Sequence, residues 1–172
     1  MACEGNCFTF TWKLENISYC LQKQNRVIKS PAFVVDSFGE RKWYLGLYPR
    51  GQEYEDFISF ALYKELDSKK TVQREIKYEL AFVGKDGSFL RRISKYDFSD
   101  HPGHGFSDFA GREEVFDTKR SIFLPHDILT ARCRIWKTDG ELAESIRCFA
   151  HTRIGVEKRS FMWKKCEKLQ FS

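Results

Sequence analysis

The stretch "HPGHGFSDF", residues 101–109, contains the residue types best suited to chemistry in this chain. His101 and His104 are close enough to be two zinc ligands, with a neighbouring aspartate as a third. A zinc site usually recruits Cys or His from a second element at fixed spacing, and no such partner is evident in the sequence. We therefore expect no metal ion, and two interpretations stand. The stretch is either a glycine-turned loop that packs Phe106 and Phe109 on the core, or a rim on which His104 and Phe106 face a groove.

Nucleophilic catalysis is not indicated either. The sequence contains no GxSxG, P-loop, GxGxxG or HExxH motif. Cys133 lies between two arginines on the apolar side of a predicted strand, which is typical of a core thiol rather than a reactive one. The Glu113-Glu114 pair has no second carboxylate that can be placed opposite it. We expect no enzyme activity and no cofactor.

The composition indicates one globular domain. The 172 residues allow a core that buries roughly 70% of the unfolded surface. Hydrophobic residues make up 42% of the chain and charged residues 31%, which are globular values. The net charge of +5 comes from lysines and arginines scattered among acids, so we expect a solvated surface and no nucleic-acid partner.

The sequence also indicates where the protein is found. No run approaches the ~20 apolar residues of a membrane span, and the opening "MACEGNCFTF" has no signal-peptide regions. The six cysteines include no CxxC pair, which favours reduced thiols. We expect a nuclear or cytoplasmic protein that does not contact a membrane, and a monomer for the isolated domain.

Alternation with period two dominates the pattern. In "FTFTWKL" every second residue is apolar and the residues between are polar. The alternation recurs in "RKWYLGLYPRG", "FISFALYK", "EIKYELAFV", "SFLRRISKYDF" and "ILTARCRIW", and "GKDGS" is a hairpin-turn signal. Seven or eight short strands of this kind predict an antiparallel sandwich or barrel. The residues expected to be largely buried are Trp12, Trp43, Leu45, Phe60, Leu80 and Ile135.

The C-terminal region departs from this pattern. Leu142, Ile146 and Phe149 in "ELAESIRCF" have helical spacing, so residues 139–158 are predicted to be a linker, with a short helix as one option. The segment "SFMWK" repeats the aromatic spacing of "TFTWK" about one domain length later. Residues 159–172 are therefore predicted to be the first strand of a second, truncated domain.

Five segments together resemble the MATH domain, also called the TRAF-like domain. They are "FTFTWKLENIS", "VIKSPAF", "KWYLGLYPRG", the phenylalanine-rich stretch at 101–109, and "SIFLPHDILTARCRI". The likeness covers roughly residues 6–138, in the family's order and near its spacing, and is greatest to its speckle-type POZ and arthropod TD-and-POZ members. It implies an all-β fold, an antiparallel eight-stranded β-sandwich, and makes residues 159–172 the start of a second MATH domain.

The resemblance implies a protein-binding module and not an enzyme. Its members capture an extended segment of a substrate protein, with main-chain hydrogen bonds supplying affinity and pockets supplying specificity. A BTB/POZ domain, absent from this chain, would connect it to a cullin-RING ubiquitin ligase and so to proteasomal degradation. Two alternatives remain: a TRAF-type signalling scaffold, and an accessory MATH domain of a deubiquitinase or protease.

The resemblance to the MATH domain also implies which residues form the rim of a peptide groove. Tyr96 in "SKYDF" matches the family's groove tyrosine. Gly105 and Phe106 match the last two residues of the family's Trp-Gly-Phe segment, and His104 replaces its tryptophan. We expect Gly105 to let the partner's backbone approach, and Tyr96 and Phe106 to supply flat apolar area.

The floor of the groove departs from the family. Gly46 stands where the family has arginine, Ala61 where it has tyrosine, and Ile76 where it has phenylalanine. Small residues at positions 46 and 61 predict deeper space than in other members, and a bulkier partner side chain. The lost aromatic area and positive charge mean that the family's Ser/Thr-rich motif is not expected to transfer. His104 is expected to make binding pH-dependent between about 5.5 and 7.5.

Overall fold

Alternating apolar and polar residues form most of the strands in the computed structural model, which describes residues 6–20, 23–35, 41–65, 75–99, 101–137 and 145–155. In chain order the strands are β1 (Phe8–Glu15), β2 (Ile28–Lys29), β3 (Phe33–Val34), β4 (Lys42–Tyr48), β5 (Phe57–Lys64), β6 (Ile76–Val83), β7 (Phe89–Tyr96), β8 (Gly103–Gly111), β9 (Ile128–Lys137) and β10 (Ile146–Arg153). A 3-10 turn at Ile17–Tyr19 follows β1. Between β8 and β9 lie a π-helical turn at Glu114–Thr118, a short helix α1 at Arg120–Phe123, and a 3-10 turn at Pro125–Asp127.

Two sheets pack face to face. Sheet I has the strand order β10-β1-β9-β6-β7, and sheet II has the order β2-β4-β5-β8 with β3 also paired to β4. The prediction of an antiparallel β-sandwich is confirmed. The described strands outnumber the predicted eight partly because the segment interrupted at Pro31 forms β2 and β3, each of two residues. Pro31 explains the interruption, since proline removes a ladder donor.

The core lies between the sheets and follows the predicted alternation. The six residues expected to be buried, from Trp12 to Ile135, have at most 1% of their surface exposed. Cys133 is fully buried, and burial raises the pKa of its thiol. It is therefore a core thiol, as predicted. No helix among the described residues is long and apolar enough to cross a membrane.

The stretch at 101–109 is not a loop. Gly103–Gly111 form β8, which pairs with β5 from Tyr63↔Gly103 to Phe57↔Gly111 and is irregular between the pairs Ile58↔Ala110 and Phe60↔Phe106. The two glycines and the proline suggested a turn, because they are poor strand formers. Pairing with β5, in which Ile58, Phe60 and Leu62 are buried in the core, outweighs that local preference. Phe109 is buried in the core, as expected.

Within the expected linker at 139–158, the described residues 145–155 require a correction. Residues Ile146–Arg153 form β10, which runs parallel to β1 with Phe8 opposite Ile146 and Glu15 opposite Arg153. The same sequence carries a period of two, because Ile146, Cys148 and Ala150 pack against the core. The helical spacing of Ile146 and Phe149 therefore does not correspond to a helix, and β1–β10 is the one parallel pair among the described strands. Residues 159–172, assigned to a second domain, lie outside the described residues.

One carboxylate is buried on the outer face of sheet I. Glu79 on β6 is 1% exposed and accepts hydrogen bonds from Arg134 at 2.8 and 2.9 Å and from Arg132 at 3.0 Å. Burial alone would raise the pKa of Glu79, but the hydrogen bonds and charges of Arg134 and Arg132 outweigh it and lower the pKa below its ordinary value. Glu79 is therefore ionised and ties β6 to β9.

We predict that Glu79→Gln lowers the free energy of unfolding by about 2 kcal/mol at pH 7, because the three hydrogen bonds from Arg132 and Arg134 lose the carboxylate charge in a buried site. A lowered folded-state pKa gives stability that is present above pH 4.5 and lost as pH falls, so the difference between parent and variant should shrink in acid. Urea unfolding at pH 7 and pH 3.5 measures it. The control Glu53→Gln, in an exposed loop, should match the parent. Equal stability of Glu79→Gln and the parent at pH 7 would contradict the prediction.

Candidate functional site

Strand β8 forms one edge of sheet II, and β5 is its hydrogen-bonded neighbour in the described part of the chain. The Lys64 N–H donates to the Pro102 carbonyl at 2.7 Å, which sets the phase of the ladder. In an antiparallel pair, alternate residues bond to the partner strand. The backbone groups of His104 and Phe106 therefore face β5, and those of Gly103 and Gly105 point to the open side. β8 thus presents a short row of backbone donors and acceptors.

His104 lies on the side of β8 that faces sheet I. Its ring stacks on Tyr96 of β7, with centroids 4.0 Å apart and planes 8° apart. Its Nδ1 is 2.5 Å from the hydroxyl of Tyr78, which is buried in the core. Burial lowers the pKa of His104 below 6.5, so the neutral ring is favoured in the fold. The residue that replaces the family's tryptophan is therefore a packing residue between the two sheets.

Phe106 continues the same side of β8. The Arg92 guanidinium lies over its ring at 5.3 Å and donates to the Asp108 carboxylate at 2.8 Å and to the Asp108 carbonyl at 2.7 Å. This contact joins β7 to β8 and closes the open edge beyond Ser107. Tyr96, His104 and Phe106 thus form a continuous, half-buried aromatic strip, which we call the inner rim.

The outer face of β8 is occupied by a tyrosine that sequence reasoning missed. An ideal Cβ at Gly103 would lie 2.3 Å from the Tyr63 ring, and one at Gly46 would lie 2.6 Å from it. The Tyr63 ring therefore covers the strand on each side of β5. It also stacks on Tyr44 at 5.1 Å, and its hydroxyl is 2.7 Å from that of Tyr48. The deep space predicted at Gly46 is wrong, because Tyr63 fills it. The sequence offered one signal for this arrangement, namely that the segments forming the strands on both sides of Tyr63 contain glycines.

Gly105 has a different explanation from the one predicted. A Cβ there would lie 2.3 Å from the Phe60 carbonyl oxygen and 2.4 Å from the Ala61 Cα. Since both atoms belong to the backbone of β5, glycine is required by the close approach of the two strands. Whether Gly105 also admits a partner backbone stays a prediction.

The seven predicted groove residues do not share one face. Tyr96, His104 and Phe106 form the inner rim. Gly46, Ala61 and Gly105 form a row of small residues across the outer face of sheet II, where Ala61 pairs with both glycines. Ile76 on β6 pairs with Tyr96 on β7. It is 3% exposed and belongs to the core. It is not an open floor residue.

A cavity of about 370 Å³ adjoins the start of β8. Its lining includes Lys29, Tyr44, Lys64 and Pro102. The Lys29 ammonium lies 5.2 Å from the centre of the Tyr44 ring, so a cation borders the cavity. Sequence reasoning did not identify this cavity, because its walls come from three strands and the turn before β8.

The histidines do not form a metal centre in the described part of the chain. There, no three His, Cys, Asp or Glu side chains gather closely enough to hold a metal ion. His101 is exposed, whereas His104 contacts two tyrosines. The geometry of the described residues favours contact with another chain, through the outward-facing backbone groups of β8 and the aromatic rings of the inner rim.

A family model described as the MATH domain matches residues 9–135. The chain belongs to the MATH domain family. It is 29% identical over 131 residues to TD and POZ domain-containing protein 3 of Mus musculus, and 28% identical over 131 residues to TD and POZ domain-containing protein 2. Each match covers 74% of this chain and 36% of the relative. The chain thus spans about a third of the length of these curated relatives.

The solved structures give the same fold. TRAF5 of Notothenia coriiceps superposes with a TM-score of 0.63 at 13% identity, over 79% of this chain and 77% of that one. The predicted family and sandwich fold are confirmed. MATH domains are protein-interaction modules, so this chain is one.

We predict that His104 makes the fold sensitive to acid. Its folded-state pKa is lowered, so its contribution to stability is present above pH 6.5 and lost as pH falls through the folded-state pKa. His104→Phe retains a ring to stack on Tyr96 but cannot be protonated. Its free energy of unfolding should therefore fall less than that of the parent between pH 7.5 and pH 5, measured by urea unfolding. The exposed control His101→Gln should behave like the parent. If His104→Phe and the parent lose equal stability, His104 is not the acid-sensitive group.

Proposed function

We propose that this MATH domain captures an extended segment of a partner protein as an added strand on the open edge of β8. The observation that supports this proposal is the hydrogen-bonding pattern between β8 and β5, in which the backbone groups of Gly103 and Gly105 point away from β5. An exposed edge of this kind is a template for pairing with another chain. The Arg92–Asp108 contact limits the pairing at one end, so the added strand is short.

An added strand lies about 4.8 Å from β8 and directs alternate side chains to opposite faces. One set of side chains meets the inner rim, where Phe106, His104 and Tyr96 offer flat rings. The other set lies beside Ala61 and the Tyr63 ring. Since Tyr63 fills that face, we infer that the partner carries short side chains there and apolar ones toward the inner rim.

The whole protein's role is proposed from the relatives. Their names join a POZ domain to the region that this chain matches, and the match covers about a third of their length. We infer that the chain is the substrate-recognition part of a POZ-type adaptor for a cullin-RING ubiquitin ligase. In that role it acts in the nucleus or cytoplasm.

The test begins with the tightest binder selected on the domain from a phage-displayed library of twelve-residue peptides. Its affinity is then measured by fluorescence anisotropy. Phe106→Ala and Tyr96→Ala should each weaken binding about thirtyfold, equivalent to ~2 kcal/mol, because each removes a flat anchor. The control Tyr54→Ala removes an exposed aromatic side chain in the loop before β5 and should bind like the parent. Circular dichroism confirms that each variant is folded.

Backbone pairing is tested on the peptide itself. N-methylation of alternate residues removes the N–H groups that face β8, whereas methylation of the intervening residues removes those that face solvent. We expect one set to abolish binding and the other to weaken it only slightly. Equal effects of the two sets, or folded Phe106→Ala and Tyr96→Ala variants that bind like the parent, would overturn the proposed site.

A further inference from the structure

The outer face of sheet I carries a concentration of positively charged side chains. The side chains of β10, β1, β9, β6 and β7 that alternate away from the core form it, and we call it the basic face. Its cations are Lys13, Lys77, Arg91, Lys95, Arg132, Arg134, Arg147 and Arg153. Its acids are Glu15 and Glu79. Eight cations against two acids give a net charge of +6, whereas the whole chain carries +5.

The charge is therefore segregated, although it appears scattered along the sequence. The strands interleave residues that are 50 to 140 positions apart, such as Arg134 on β9 with Thr9 on β1 and Glu79 on β6. By contrast, the outer face of sheet II around β5 presents tyrosines, glycines and Ala61. The two outer faces are thus suited to different partners.

The centre of the basic face is held in a fixed geometry. Glu79 accepts hydrogen bonds from Arg132 and Arg134, and Arg91 lies 3.8 Å from the same carboxylate. The Arg132 guanidinium lies 4.7 Å over the Phe89 ring. Such contacts reduce the entropy lost when a guanidinium binds an anion, because its orientation is already set.

Apolar side chains are interspersed with these cations. Phe149 on β10 is 74% exposed, and Ile93 and Phe89 on β7 are also exposed. Five strands of about eight residues make a face roughly 19 Å by 27 Å. Covering it would bury about 1,000 Å² in total, the low end for a specific protein interface.

We propose that the basic face binds an acidic segment of a protein, with carboxylates on its cations and apolar side chains on Phe149 and Ile93. Charge complementarity selects an acidic partner, and membership of a protein-interaction family selects a protein. A single-stranded nucleic acid would need open aromatic faces for its bases. Two of the three aromatic rings on the described face, Phe89 and Trp136, already carry a cation. The site is independent of β8 and adds a second contact to the proposed function.

The probe is a labelled sixteen-residue peptide of alternating Glu and Leu, titrated by fluorescence anisotropy at 50 and 300 mM NaCl. The same peptide with Gln for Glu, and a sixteen-nucleotide poly-U RNA, are titrated alongside. The face variant is Lys13→Glu/Lys95→Glu/Arg147→Glu, at three exposed cations. The matched control is Lys23→Glu/Arg26→Glu/Arg50→Glu, which makes the same change in net charge in loops next to sheet II.

We expect the acidic peptide to bind, the Gln peptide to bind at least tenfold more weakly, and the higher salt to weaken binding. The face variant should lose at least about tenfold in affinity and the control less than threefold. Phe149→Ser should weaken binding without changing its salt dependence. Equal losses in the face variant and the control would show a general charge effect and overturn the proposal, as would tighter binding of the RNA. Phe106→Ala should leave this binding unchanged, so failure here is distinct from failure at β8.

Discussion

The structure depends on a single apolar interior shared by two sheets. Each strand contributes every second side chain to that interior, and Trp12 and Trp43 have no exposed surface within it. Because the period of a strand is two, burial of one face assigns the other face to solvent. The inner and outer surfaces of this MATH domain are therefore decided by the same residues. A slip of one residue in β1 or β9 would exchange them.

A sandwich of open sheets also has edges, and the edge at β8 is where we place partner capture. The inner rim seals the junction between β7 and β8, with Tyr96 stacked on His104 and Arg92 over Phe106. That seal leaves the side chains packed and the backbone of Gly103 and Gly105 directed outward. A rigid edge of this kind lowers the cost of binding an extended segment, since only the partner must become ordered.

The outer faces of the two sheets differ in their side chains. On sheet II, Tyr63 covers glycines on both neighbouring strands and fills a space that the sequence suggested was open. On sheet I, Glu79 is buried beneath arginines and keeps them in place. The Tyr63 ring restricts the size of the side chains that can pack beside β8. The arginines held by Glu79 lie together on one side of the molecule.

The sequence by itself determined the sandwich fold, the buried alternation from Trp12 to Ile135, the hairpin at "GKDGS" and the family, because these depend on local periodicity and on motifs in order. It did not determine β8 or β10. Glycine and proline in one, and helical spacing in the other, favour different local structures, and pairing with β5 and β1 outweighs them. It also placed Gly46, Ala61 and Ile76 on one floor, whereas the structure puts Gly46 and Ala61 on the outer face of sheet II and Ile76 in the core. Faces, edges and charge segregation arise only when strands distant in sequence become neighbours, so the tertiary structure alone decided them.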